Sequence, residues 1–535
     1  MSRYLMAIDA GTGSVRAVIF DESGGQLACS QHEWEHLEDK RWPGSMCFDW
    51  EHNWLLAKNC VRSAIKEARI DPRDIVAVST TCMREGIVLY DAEGKEIWAC
   101  ANVDSRSNDE VLELISTDSN MEREIYAVSG QTFALGALPR LLWVKNKQPE
   151  IYERVKTMSM FNDWLIYRLA GVIATEPSNG STTGVFDLKK RVWDPSIAKK
   201  CGLRTDIFPT VSECGEKIGT VSAAAAAETG LAEGTPVVIG GGDAQLGCVG
   251  VGVVKAGQAA VFGGSFWQYE FNTASGQTDK ESRVRVNCHA VPGVWQYEAL
   301  AFKPGIVMRW YRDAFCELEK KQAELSGKDP YYLMDIEADR IPAGCYGMMC
   351  AFSDVMNFIS WRHAAPTFSN FDFDPAKYNR YTFYRAIMEN TALVTRGHMD
   401  LVEEATGSRP TEIVFAGGAA KSPVWSKILA DVLGMPVKVP SVKEATALGA
   451  AILAGRGAGL WHDTAQASGK LVKWDATYTP DAKNHETYNE IYRVWRKFYA
   501  AELAQSDAGT TRYMWAAPGA AAPHANACPH KNLEG

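Results

Sequence analysis

The sequence predicts an α/β protein built as two large domains, and three observations predict it. β-rich runs closed by Gly-rich turns alternate with stretches of helical period. An apolar strand ending in an aspartate and glycines occurs in both halves of the chain, the trace of an internal duplication. The length of 535 residues, 46% apolar and 23% charged, is too great for a single small module and sufficient to bury sizeable cores.

Tyr4–Ile8 reads as a buried strand, Asp9–Ser14 as a turn and Val15–Phe20 as a second strand. Asp21–Gly25 then turns into a third strand at Gln26–Ser30, which completes a β-meander. Trp50, Trp54, Leu55, Ala57, Cys60, Val61 and Ile65 recur with helical period across residues 50–68. Strands follow at Ile75–Ser79 and Ile87–Tyr90. A second unit starts at Pro236, where Val237–Ile239 runs into Gly240-Gly241-Gly242-Asp243. After a Gly-rich bridge, Ala259–Phe262 runs into Gly263-Gly264-Ser265. A third unit is Ile413–Phe415, the turn Ala416–Ser422 and a helix to Leu433, followed by a strand at Val437–Val439 and a helix over Glu444–Ala454. The domain boundary is expected near Gln245–Gly252, dividing residues 1–245 from 246–505. Residues 506–535, Ala- and Pro-rich toward their end, read as a frayed tail.

The net charge of −9 comes without any basic stripe, which argues against a nucleic-acid partner. An acidic balance leaves room for an anionic ligand, because backbone amides bind phosphate locally. The thirteen cysteines are scattered, odd in number and without a Cys-x-x-Cys pair, as in a reducing compartment. No apolar run reaches the ~18 residues that span a bilayer, and Asp9 interrupts the N-terminal apolar stretch where a signal peptide would need continuity. A cytoplasmic protein with no membrane partner is expected.

The strongest local signal is Asp9-Ala10-Gly11-Thr12-Gly13-Ser14-Val15-Arg16. Glycines in a strand-to-strand turn let amides approach an anion, Thr12 and Ser14 add hydroxyls, and Arg16 adds a fork suited to phosphate. Asp9, at a strand end, is placed for Mg²⁺ or its waters. Asp243 projects from glycines at another strand end, where a carboxylate serves as general base to an attacking hydroxyl or as a simple turn cap. Gly417-Gly418-Ala-Ala-Lys421-Ser422 opens a helix, a setting that suits a nucleotide's phosphates or ribose. It is no P-loop, since Ala420 precedes Lys421, and no strand-to-helix GxGxxG supports a Rossmann reading. His32-Glu33-Trp34-Glu35-His36 has HExxH spacing, but it continues a strand, where the histidines would stand ~13 Å apart; a polar surface segment is the expectation. Arg84-Glu85, with Asp104 and Arg106, reads either as a clamp on the hydroxyls of a small polyol or as surface ion pairs.

Together, and in this order along residues 4–515, these pieces resemble the FGGY family of carbohydrate kinases within the actin-like ATPase superfamily. The resemblance rests on Asp9–Arg16, Arg84-Glu85, Gly240–Asp243, Gly263–Ser265, Gly417–Ser422 and Glu444-Ala-Thr-Ala-Leu-Gly449. It implies two actin-like (ribonuclease H-like) α/β domains flanking a catalytic cleft, with ATP and Mg²⁺ as cofactors and a small-molecule acceptor. Within the family, the runs Tyr4–Asp21, Met83–Tyr90, Ile97–Asp104 and Arg309–Cys316 resemble the branch that phosphorylates the terminal (C5) hydroxyl of 4,5-dihydroxypentane-2,3-dione, the linear form of the quorum-sensing signal autoinducer-2.

Carried over residue by residue, the resemblance makes Asp243 the general base and a metal contact beside Asp9. It makes Thr12, Gly13, Ser14 and Arg16 the first phosphate loop, and Gly264 and Ser265 the second, Ser265 supplying a hydroxyl where many relatives have Thr at Gly264. Gly305, Arg309, Gly417, Gly418 and Ser422 stand where relatives touch nucleotide; Arg84, Glu85, Asp104, Asp243 and Gln245 stand at the acceptor. Glycerol kinases carry Trp where Asn102 stands and Tyr near Leu135–Gly136, so glycerol is disfavoured. Xylulose, gluconate or rhamnulose would be the next acceptors, and a non-kinase actin-like ATPase the remote alternative. The resemblance also admits a phosphotransferase-system phosphocarrier protein and a homodimer as partners.

Overall fold

A computed structural model describes residues 3–301 and 303–520. The chain forms two compact units. Unit 1 comprises Met1–Ala256, Asn272–Gln296 and Val442–Lys473; unit 2 comprises Gly257–Phe271, Tyr297–Ser441 and Trp474–Gly535.

In unit 1 a six-stranded sheet runs in the order Lys217–Thr220, Pro236–Gly242, Ile75–Cys82, Tyr4–Ala10, Ser14–Asp21, Gln26–Glu33. The expected meander forms its antiparallel end, with Asp9 opposite Arg16 and Ser14 opposite Glu33. Tyr4–Ala10 lies parallel to Ile75–Cys82, which lies parallel to Pro236–Gly242. Strands buried on both faces read as continuous apolar runs, and the first strand is buried from Leu5 to Ala10. The edge strand Gln26–Glu33 is largely exposed and polar, which guards an open sheet edge.

Unit 2 repeats the arrangement. Ala259–Gly263 pairs antiparallel with Trp267–Thr273 and parallel with Ile413–Ala416; Ile413–Ala416 is parallel to Val437–Pro440, which is antiparallel to Trp474–Tyr478. Each sheet thus has an antiparallel hairpin, two successive parallel neighbours and an antiparallel closing strand. The duplication suggested by the repeated strand endings is therefore present in the strand order.

Two stretches marked in the sequence change in detail here. Gln245–Gly252, expected as a boundary, lies mostly in the helix Asp243–Gly250, whose residues from Ala244 onward are all buried. The helix is short, rich in small residues and buried on all sides, so it carries no amphipathic period to read. It packs against the helix Ala445–Gly457, and small residues let the two backbones touch: a Cβ at Gly250 would lie 1.8 Å from the Ala445 carbonyl oxygen, and one at Gly449 1.9 Å from that of Leu246. The second change concerns residues 506–520. The last helix, Ala482–Asp507, ends there, and Trp515–Ala516 pairs with Arg362–His363. The rest of the expected tail lies outside the described residues. Among the described residues no helix is long and apolar enough to cross a membrane, and no disulfide joins any cysteine.

Candidate active site

The turn between the first two strands is tied from several sides. The Gly11 N–H donates to the Ser14 carbonyl at 2.9 Å. Trp34 Nε1 donates to the Gly11 carbonyl at 3.0 Å, and His36 Nε2 bonds the Thr12 carbonyl at 2.7 Å, so this nitrogen carries the ring proton. The misleading HExxH segment is thus a brace for the turn rather than a bland surface strip: Trp34 is buried, and the indole and imidazole hold carbonyl oxygens that would otherwise repel an incoming anion. A Cβ on Gly13 would meet nothing within 4 Å, so the tip of the turn is open.

Arg16 stands opposite Asp9 in the hairpin register, with Nε 3.6 Å from Asp9 Oδ2. Its Nη1 donates to Glu444 Oε2 at 2.6 Å, and its Nη2 reaches Ser14 Oγ at 3.3 Å. Glu444 immediately precedes the helix Ala445–Gly457, so the glycine-mediated helix crossing is what brings the Glu444-Ala-Thr-Ala-Leu-Gly449 run to this hairpin. The expected phosphate fork is therefore already paired with two carboxylates, and Glu444 is a site residue that local motif reading missed. Burial pushes the Asp9 carboxyl up to about 7; Arg16 opposes the shift, while Asp243 and Glu444 add to it. Three carboxylates, Asp9, Asp243 and Glu444, face two guanidiniums, Arg16 and Arg84, and a cation would relieve the remaining negative charge. Among the described residues no three His, Cys, Asp or Glu side chains enclose an ion. Mg²⁺ fits a donor set of one or two carboxylates, since it keeps waters and binds phosphate oxygens as well.

Asp243 starts its helix directly after the strand Pro236–Gly242, and its side chain is 39% exposed. Arg84 Nε lies 3.3 Å from Asp243 Oδ1 while the guanidinium side chain is only 5% exposed. Gly242 allows this approach: a Cβ there would fall 3.0 Å from Arg84 Cγ and Cδ and 2.6 Å from Gln245 Oε1. Asp243 Oδ1 also accepts from the Ala244 N–H at 2.8 Å, and the Gly242 N–H donates to Ser178 Oγ at 2.9 Å. Gln245, expected at the acceptor, is fully buried, and its amide donates to Gln296 Oε1 at 2.9 Å.

Glu85 follows Arg84 with φ 66°, and the Gly86 N–H returns to the Arg84 carbonyl at 2.9 Å. A three-residue turn of this hand is rare and strained, and such strain gathers at functional positions. Its carboxylate meets the buried Arg285, Nη2 to Oε1 at 2.6 Å. Asp104, expected at the acceptor, is already paired. Its carboxylate has no solvent exposure and is taken by Arg106 (Nη2 to Oδ2 at 2.6 Å) and by the Met46 N–H at 2.6 Å. Arg106 lies over Trp98 and Trp143 as well. A sealed, fully partnered carboxylate acts as a strut, and Asp104 would have to exchange one of these partners to reach an acceptor. Asn102 instead turns inward: its Nδ2 donates to Thr12 Oγ1 at 3.0 Å.

The remaining expected positions lie in unit 2. Gly305 opens the helix Pro304–Phe315, and a Cβ there would fall 1.9 Å from the Gly264 carbonyl oxygen, so the Gly263–Ser265 loop and this helix touch through backbone. Arg309, one helical turn on, is exposed on the same face. Gly417 has φ 92°, and a Cβ on it would sit 2.7 Å from the Gly263 carbonyl oxygen. Gly263, Gly264, Gly305, Gly417 and Gly418 therefore converge backbone to backbone, with Gly264, Gly417 and Gly418 exposed, Gly305 half-buried and Gly263 buried beneath them. Ser422 is committed elsewhere: its hydroxyl caps the helix Pro423–Leu433 by accepting from the Trp425 N–H at 3.1 Å, and it hydrogen-bonds Asp335, a carboxyl that burial pushes up to about 6.

Comparison with known proteins finds two family domains in succession along the chain, the second of which includes the segments 272–296 and 442–458 that pack into unit 1. Residues 4–250 match the N-terminal domain of the FGGY family of carbohydrate kinases, and residues 271–458 match its C-terminal domain. The chain is 50% identical over 517 residues to autoinducer-2 kinases of Enterobacter sp. (strain 638) and Escherichia coli (strain K12), covering 96% of this chain and 98% of each of theirs. Among solved structures it superposes on xylulose kinase from Rhodospirillum rubrum with a TM-score of 0.82 at 23% identity, covering 93% of this chain and 99% of that one. The glycerol kinase of Plasmodium falciparum with ADP gives a TM-score of 0.80 at 20% identity, covering 93% and 98%. With the actin-like fold present twice and both family domains matched in order, the chain belongs to the FGGY family of carbohydrate kinases.

Proposed function

We propose that the chain transfers the γ-phosphoryl group of ATP to the terminal (C5) hydroxyl of 4,5-dihydroxypentane-2,3-dione. The observation that carries the kinase chemistry is the partly exposed Asp243 carboxylate held beside Arg84, within electrostatic reach of Asp9 on the phosphate turn. The acceptor follows from half-identity, over nearly full length, to enzymes named for autoinducer-2.

Arg84 and Glu85 would hydrogen-bond the acceptor's oxygens and turn its terminal hydroxyl toward Asp243. The Asp243 carboxylate would then accept the hydroxyl proton as the oxygen attacks, a role that needs an approach of roughly 2.6–3.2 Å in the complex. Thr12, Gly13 and Ser14 would line the transferred phosphate, with Arg16 balancing charge between Asp9 and Glu444. Gly264, Ser265, Gly305, Arg309, Gly417 and Gly418 would receive the nucleotide, with Ser422 setting the helix behind them. Mg²⁺, held through Asp9 and Asp243, would neutralise charge on the phosphate oxygens when bound.

ADP release measured across freshly made dihydroxypentanedione, xylulose, gluconate, rhamnulose and glycerol tests the reading. The dione should give the highest kcat/KM; a sugar exceeding it by tenfold or more would replace it as the acceptor. Twelve described cysteines without a disulfide support a cytoplasmic setting. The family resemblance carries two partner proposals, a phosphocarrier protein and a second copy of the chain. Sedimentation of the enzyme with and without that carrier tests both.

A further inference from the structure

We propose that Arg285 is a positioning residue for the acceptor, acting through Glu85; this rests on the reading of Glu85 as an acceptor contact. Glu85 sits on a strained backbone and does not choose its direction alone. From one side Arg140 Nη1 donates to the Glu85 carbonyl, while Arg140 Nη2 spans the carbonyls of Asn102 at 2.6 Å and Asp104 at 3.0 Å. This fixes the main chain. From the other side Arg285, 1% exposed, places Nη2 2.6 Å from Glu85 Oε1 and fixes the carboxylate.

Arg285 is itself aimed. Its Nε donates to Gln131 Oε1 at 2.7 Å, and Gln131 Nε2 in turn donates to Asn287 Oδ1 and the Val286 carbonyl, both at 3.0 Å. Gln131 and Asn287 are buried too. A guanidinium with one edge locked by an amide presents the other edge in a fixed plane. The carboxylate that meets it is held so that only its remaining oxygen can turn to a hydroxyl of the acceptor. Removing the guanidinium frees the Glu85 side chain to rotate while leaving Arg84, Asp243 and the phosphate turn as they are.

The test is steady-state kinetics with both substrates varied, on wild type, Arg285→Gln, Arg285→Lys, Gln131→Met and Glu85→Gln, each checked for folding by thermal melting. Losing the ion pair that aims Glu85 should weaken its charged hydrogen bond to the acceptor and raise the acceptor KM of Arg285→Gln at least about tenfold. The ATP KM should stay within about twofold, since none of the relay residues belongs to the turns proposed to receive the nucleotide. Arg285→Lys should recover part of the loss, and Gln131→Met should show a smaller rise in the same direction. An unchanged acceptor KM, or equal rises in both KM values, overturns the proposal. If Arg285→Gln does not fold, Gln131→Met decides: a rise confined to the acceptor supports it and no rise overturns it. Glu85→Gln separates the two readings. If it raises the acceptor KM while a folded Arg285→Gln does not, only the positioning role fails; if Glu85→Gln has no effect, the acceptor role of Glu85 and the positioning role fall together.

Discussion

The acceptor corner of unit 1 and the glycine cradle of unit 2 are built from different materials on the same strand order. In unit 1 the strand ends carry charge: Asp9 with Arg16 and Glu444, Asp243 with Arg84, Glu85 with Arg285. In unit 2 the equivalent turns carry almost none, and Gly263, Gly264, Gly305 and Gly417 bring backbone against backbone. Side-chain charge at fixed angles suits discrimination among small hydroxylated acceptors and proton transfer. Bare backbone suits close approach to a ligand that every member of a kinase family shares. A duplicated fold can thus specialise its halves through what sits at the strand ends while the sheets stay alike.

The comparison breaks most sharply at Asp243. Asp243→Ala should lower turnover by about 10³-fold, in the range of a lost general base, while ATP binding stays within a few-fold. Stopped-time ADP assays with ATP titration check this, and near-normal turnover would remove the base from unit 1. Gly305→Ala probes the other half. Its Cβ would meet the Gly264 carbonyl at 1.9 Å, so the ATP KM should rise about tenfold or more as the loop is displaced, with the acceptor KM unchanged. Arg84→Ala should do the reverse, raising the acceptor KM roughly tenfold and leaving ATP alone. If both variants moved both constants equally, the division of labour would be wrong.

A smaller effect is set by pH. Burial raises the Asp9 carboxyl to about 7, above its unfolded range, so the folded protein holds a proton there that the unfolded chain has released. The sign follows: this group costs stability progressively as pH rises from the unfolded value of 3.8 toward about 7. Mg²⁺ must displace that proton, so its affinity should strengthen severalfold, up to about tenfold, between about pH 6 and 8. Isothermal titration at several pH values, with Asp9→Asn as the flat control, measures it. The smallest effect should come from Ser422→Ala, which removes a helix cap and should cost about 1 kcal/mol of stability in chemical denaturation, with little change in acceptor KM.

Much of the site was legible because its glycines and charges are local to strand ends. Asp9–Arg16 and Gly240–Asp243 announce themselves as turns, and the strands before them are apolar runs. At Asp104 a carboxylate two residues from an arginine looks alike in a clamp and in a buried strut; its burial comes from the Met46 N–H on the carboxylate and from Trp98 and Trp143 against Arg106. Arg285 and Arg140 carry no local signal, and the Glu444 run gives no sign of its pairing with Arg16, since each works on a partner tens to hundreds of residues away. The helix Asp243–Gly250 was hidden for another reason: buried on every side, it has no polar face to give it a period.

By itself the sequence determined the alternation of strands and helices, the glycine-rich turn after Asp9, the placing of Asp243 at a strand end and the likeness between the two halves, because these depend on neighbours within a few residues. Tertiary structure decided which charges face one another. That choice hangs on helices that cross at Gly250 and Gly449 and on a segment, Asn272–Gln296, that belongs with the N-terminal unit despite its place in the chain. Ion pairs form where folding delivers both partners, and the delivery is set by packing across long sequence separations rather than by the residues on either side.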